Sequence, residues 1–243
     1  MRGMVIGARS STGVKGLDSL LGGGMPSHAV IAVVGAPGAG KTTFCRQTVF
    51  NRLKEGGTCV YVATSEPVDH ITDQMKAMGW DVTPYADKLT FIDAYSWRMG
   101  EQKQEKRKNV YVLASAADLN EANRILNSIA KEAKGPLYFV IDSISDLVLY
   151  SAPESVFKFI QLFVGLVKSG EHSGLVILEE GLHEPRTYTT LNYVTDGTIE
   201  MKVDGAMRLL RIARMMDTQH PLKWVAFTIG GRGVEVEIEK FFG

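Results

Sequence analysis

The run Gly35-Ala36-Pro37-Gly38-Ala39-Gly40-Lys41-Thr42 constrains this chain more than any other, because it fits G-x-x-x-x-G-K-[ST]. Residues 29–34 before it read as a buried apolar strand, and 41–53 after it as a helix, which is the context the motif requires. The glycines let successive backbone N–H groups turn into one hollow that fits a phosphate, and the helix N-terminus adds its dipole. Lys41 supplies a mobile positive charge for the outer phosphate oxygens, Thr42 a hydroxyl suited to magnesium, and Thr43 a hydroxyl for a further phosphate oxygen. The stretch 35–43 is therefore the expected nucleotide-binding loop, with ATP or ADP and magnesium as its ligands.

Around this loop, short runs rich in Val and Ile alternate with longer segments of helical period, the pattern of a mostly parallel sheet with helices on its faces. Strands are expected at 59–64, 89–93, 137–141 and 174–178, and helices at 68–78, 118–134 and 153–168. Asp118 and Glu121 suit the first turn of the helix at 118–134, and Gly135-Pro136 its stop. The polar stretch 100–109 has no apolar anchor and reads as an exposed excursion. From 198 onward the texture changes to successive strands, at 198–203, 207–213, 224–229 and 234–238, with a hairpin turn at Gly230-Gly231-Arg232-Gly233. No linker divides the chain, so one domain is expected over 1–243: an opening segment 1–28, a core 29–197 and C-terminal strands 198–243.

Hydrolysis needs more than a phosphate cradle. Asp142 ends the apolar run 137–141, where a carboxylate can hold magnesium through water. Glu66 follows the strand 59–64 just before Pro67, at the edge where ligands bind; it can orient the attacking water, or simply open the next helix near its positive end. Glu179 and Glu180 leave the strand 174–178 on the same edge. Two adjacent carboxylates beside a triphosphate repel it, so one is expected to sense the phosphate or the water while the other faces solvent or a cation.

Composition excludes several other classes. Lys and Arg number 27 and Asp and Glu 27, which weighs against coating DNA or an anionic membrane by bulk charge. No run approaches the roughly 20 apolar residues of a membrane span, nor does the start read as a secretory signal. Cys45 and Cys59 form neither a disulfide framework nor a zinc-ligand pair, and the expected compartment is the cytoplasm.

These motifs, with Gly13-Val14-Lys15-Gly16-Leu17-Asp18, Leu20-Leu21-Gly22-Gly23-Gly24-Met25-Pro26, Gly79-Trp80-Asp81, Ser65-Glu66, Val140-Ile141-Asp142-Ser143 and Val194-Thr195-Asp196-Gly197, resemble the single-domain RecA/KaiC-like P-loop ATPases, including archaeal RadA paralogues. The resemblance implies an α/β RecA-like core, ATP turnover, and a homo-oligomeric ring or filament in which a neighbour's basic pair completes the site. Arg214 stands where the first basic residue of that pair falls, and Met216 where the second would be; a thioether cannot stabilise a transferring phosphoryl group. The resemblance also implies DNA-contacting loops, here roughly 149–154 and 182–192, and a link to DNA repair or recombination. The first loop has no basic residue and the second only Arg186, so DNA is a conditional partner. Competing readings are a nucleotide-gated regulatory module with little hydrolysis and, last, a small-molecule kinase.

Overall fold

The computed structural model describes residues 7–99 and 107–238. Most of the excursion expected at 100–109, including Lys103 and Lys106 of its basic cluster, lies outside them. In chain order, β1 (Arg9–Ser10), α1 (Leu17–Leu20) and β2 (Met25–Pro26) open the fold, and β1 and β2 pair as a small antiparallel ribbon. There follow β3 (Val30–Gly35), α2 (Lys41–Lys54), β4 (Thr58–Ala63), α3 (Val68–Ala77), β5 (Leu89–Asp93) and β6 (Val110–Val112). Next come α4 (Leu119–Glu132), β7 (Leu137–Asp142), α5 (Ile144–Tyr150), α6 (Pro153–Ser169), β8 (Ser173–Glu179) and α7 (Pro185–Val194). The chain finishes with β9 (Gly197–Asp204), β10 (Met207–Met215), β11 (Val225–Gly230) and β12 (Gly233–Val236).

Among the described residues ten strands form one sheet, in the order β12-β11-β10-β9-β3-β8-β7-β4-β5-β6. From β9 to β6 neighbours run parallel, and β9 to β12 continue as an antiparallel meander. Strand alternation sorts the core into two layers. Ile31 and Val33 of β3 face Phe44, Val49 and Leu53 of α2 and Ile71 and Met75 of α3, whereas Val30, Ala32 and Val34 face the layer built by α4 to α7. Buried on both sides, the central strands need the continuous apolar runs that mark them in the sequence.

All the expected strands and helices form, with ends shifted by at most two residues. Asp118 caps α4, its side chain accepting the Glu121 amide at 3.1 Å. The ribbon β1–β2, α1, β6 and α5 go beyond the expectation. Two expected loops are corrected. Leu149 and Tyr150 are the last residues of α5, and Pro153 already begins α6, so 149–154 is a two-residue break between helices. Residues 185–192 likewise belong to α7, because Glu184-Pro185 starts a helix whose Thr187 and Leu191 pack inward.

Candidate functional site

Because β3, β4, β7 and β8 run parallel, their C-terminal ends meet at one edge of the sheet, and that edge gathers the expected site residues. The loop 35–43 leaves β3 there. Gly40 caps α2 with φ 102°, and a Cβ on it would come within 2.6 Å of Ile229 Cδ1. A Cβ on Gly35 would lie 2.0 Å from the Met201 carbonyl oxygen of β9, so only glycine allows the loop this close to the next strand.

Lys41 is almost fully buried, and its ammonium donates to the Ala36 carbonyl at 2.9 Å and to Glu179 Oε2 at 2.7 Å. Sheet register explains the second partner, since Glu179 pairs with Gly35, the first residue of the loop. Ser145 Oγ accepts the Glu179 amide at 2.8 Å, which further fixes the strand end. Glu180 is exposed, and its amide donates to Gly35 O at 2.9 Å. The two glutamates thus divide as electrostatics requires, one on a cation and one toward water.

Thr42, half-buried like its neighbour Thr43, donates its hydroxyl to Asp142 Oδ1 at 3.3 Å. Asp142 Oδ2 accepts the Tyr61 hydroxyl. Burial raises the pKa of Asp142 above the ordinary carboxylate value, against the lowering effects of the Tyr61 hydrogen bond and the Arg46 charge. The same burial holds the Tyr61 phenol well above its usual range, so Tyr61 remains a donor. Thr42 and Asp142 present the hard oxygen donors that magnesium takes, and magnesium needs few protein ligands because phosphate and water supply the rest. Among the described residues no cluster of three or more His, Cys, Asp or Glu side chains forms a separate metal centre.

Glu66 lies between β4 and α3, with Pro67 capping the helix. Its Oε1 accepts from Arg46 Nη2, and its Oε2 faces Gln74 Nε2 at 3.2 Å and His70 Nδ1 at 2.5 Å. Nearby, the Asp146 carboxylate accepts from Ser65 Oγ at 2.5 Å, Ser143 Oγ at 2.9 Å and Thr64 Oγ1 at 3.2 Å, tying the ends of β4 and β7 to α5.

Arg214 lies elsewhere. On β10, its guanidinium donates to the carbonyls of Asn192 at 2.7 Å and Thr195 at 2.6 Å, at the C-terminal end of α7 in the same chain. Met216 is exposed just beyond. Sequence reasoning missed Arg46, Tyr61 and Asp146. Arg46 follows Thr42 by one helical turn, and Tyr61 alternates with Cys59 on the α2 side of β4, so period alone could have placed both beneath the loop.

The glycine loop between β3 and α2, the carboxylate ending β7 and the parallel sheet that brings them together define a P-loop ATPase of RecA fold. The family described as ATPase: KaiC matches residues 10–240, and this chain belongs to it. A UPF0273 protein of Aeropyrum pernix is 31% identical over 245 residues, covering 96% of this chain and 94% of that one. Another, from Thermotoga maritima, is 28% identical over 238 residues, covering 94% and 95%. Among solved structures, a KaiC-like protein of Pyrococcus horikoshii OT3 superposes with a TM-score of 0.76 at 23% identity, covering 96% of this chain and all of that one, a likeness of fold.

Proposed function

We propose that this protein is a slow, magnesium-dependent ATPase that binds ATP at 35–43 and releases ADP and phosphate. The convergence of Lys41, Thr42 and Asp142 at one strand edge, with Glu66 held beside them, carries the reading. Lys41 contacts the outer phosphates; Thr42 and Asp142 hold the magnesium, which when bound neutralises charge on the phosphate oxygens. Glu66 orients the water, and Glu179, displaced from Lys41 by the incoming phosphate, reports nucleotide occupancy. The working unit is one ATPase domain (opening segment 1–28, core 29–197, C-terminal strands 198–243) in a nucleotide-dependent ring or filament in the cytoplasm. Among the described residues no helix is long and apolar enough to cross a membrane.

A second reading, a nucleotide-gated regulatory module with little hydrolysis, is favoured by Met216 in the segment a neighbour would use and by the Lys41–Glu179 pair, which nucleotide must break. A role in DNA repair rests on the resemblance, and the helical segments 149–150 and 185–192 supply little charge for phosphate backbones. Phosphate release measured against protein concentration, with and without DNA, decides among these. The ATPase reading expects turnover above a Lys41→Ala control, rising faster than linearly if a neighbour completes the site. Tight ATP binding with turnover no higher than that control would favour the regulatory module.

A further inference from the structure

Arg46 is an unusual residue to find on the inner face of α2. Only 4% exposed, it packs under the phosphate loop, where burying a guanidinium is costly unless partners compensate. Its donors reach three different elements: Nη2 to Glu66 after β4, Nη1 to Gln74 Oε1 of α3 at 2.5 Å, and Nε to the Tyr61 hydroxyl of β4 at 3.4 Å. Tyr61 passes the connection on to Asp142, whose other oxygen meets Thr42. One buried cation thus links the expected water-orienting carboxylate to the expected metal-side carboxylate.

We propose that Arg46 is a positioning residue for hydrolysis: its guanidinium fixes the Glu66 carboxylate and couples it, through Tyr61, to Asp142. The inference rests on the reading of Glu66 as the carboxylate that orients water. A carboxylate accepts about four hydrogen bonds in all. With Arg46 on Oε1, and Gln74 and His70 on Oε2, the Glu66 plane is set from both oxygens while Oε1 keeps capacity for one more donor, the water. A lysine could keep the charge but not the fork, because an ammonium is a single point donor on a flexible stem.

The test measures kcat for phosphate release, ATP affinity with a fluorescent ATP analogue, and Tm, in wild type, Arg46→Met, Arg46→Lys, Glu66→Gln and the double variant Arg46→Met/Glu66→Gln. Both Arg46 variants are expected to lose at least about tenfold in kcat, within the range for acid–base groups, while ATP affinity stays within about twofold. The double variant is expected to be no slower than Glu66→Gln alone, since residues acting as one unit are not additive. Should Arg46→Met fail to fold, Arg46→Lys carries the comparison, because it retains the buried charge. Unchanged kcat in a folded Arg46 variant, multiplied losses in the double, or a loss confined to ATP affinity would each overturn the positioning role. Turnover abolished by Glu66→Gln but kept by either Arg46 variant overturns this inference alone. Turnover no higher than Lys41→Ala, or untouched by Glu66→Gln, overturns the reading of the site and this inference with it.

Discussion

The Lys41 ammonium lies 2.7 Å from Glu179 Oε2, with the lysine side chain 3% exposed and the glutamate 22%. The phosphate loop therefore carries an internal anion where a nucleotide's outer phosphate is expected to bind. Sheet register puts it there, Glu179 being paired with Gly35 across β3 and β8, so the contact follows from the fold. Binding a phosphate means exchanging one anion for another at the same ammonium.

Glu179→Gln should therefore strengthen nucleotide binding and weaken the nucleotide-free protein. Removing the competing carboxylate and its repulsion is worth about 1 kcal/mol, roughly a fivefold gain in ATP affinity. Lys41 is then left buried without a counter-charge, which costs up to about 3 kcal/mol of unliganded stability. Titration calorimetry with ATP and denaturant unfolding without it read the two effects separately. Unchanged affinity in the variant would show that the pair opens before nucleotide arrives.

The glycines of the loop make a graded prediction. Gly38 has φ 78°, and a Cβ there would meet nothing within 4 Å, so Gly38→Ala bears only the left-handed penalty of about 1–2 kcal/mol. Gly40 has φ 102° and in addition a Cβ there would lie 2.6 Å from Ile229 Cδ1. Gly40→Ala should cost about 3 kcal/mol and also weaken ATP binding, since the cap of α2 turns away from the phosphate. Equal losses in the two variants, by chemical denaturation, would contradict this ordering.

The loop, Asp142 and the alternation of strands with helices were legible because each is a local pattern: a fixed spacing, an apolar run, a period. What escaped is of another kind. Strand β6 has three residues, Val110–Val112, too few to show a period, and it exists because β5 offers it an edge. Helix α5 starts two residues after β7 and is apolar enough to read as part of a loop between two longer elements. The partner of Lys41 depends on which strand lies beside β3, and β8 arrives there from far along the chain. Glu66 is visible at its strand end and helical period places Arg46 beneath the loop, but the pairing of the two follows only from how α2 lies across β4.

His172 supplies a pH prediction. It is buried, and its Nδ1 accepts the Leu137 amide at 3.1 Å, which requires that nitrogen unprotonated. Burial, with a smaller contribution from His28, lowers its pKa below the ordinary histidine value of 6.5. Below pH 6.5 the unfolded chain therefore binds the proton more readily than the folded one, and stability falls as pH drops from 6.5 toward the lowered folded value. His183, also lowered by burial, adds to the slope in the same direction. His172→Gln keeps an acceptor for Leu137 and should flatten the slope of Tm against pH below pH 6.5, leaving the contribution of His183. An unaltered slope would mean that His172 protonates equally in both states.

Arg214 provides the test of whether a neighbour contributes through this segment. Its guanidinium holds the carbonyls of Asn192 and Thr195, closing the end of α7, where a cation favours the helix dipole. A side chain committed to its own subunit has a structural effect that does not depend on a neighbour. Arg214→Ala should therefore lower stability by about 1–2 kcal/mol through the lost hydrogen bonds. In mixtures of wild type and variant, assayed well below both melting temperatures, turnover should fall only in proportion to the fraction of variant. If Arg214 leaves α7 to reach a neighbouring nucleotide, each variant subunit would also silence the wild-type site beside it, and the fall would be steeper than proportional. Met216 sharpens the distinction, because with no second basic residue beside it Arg214 would have to supply all the cationic charge from this segment.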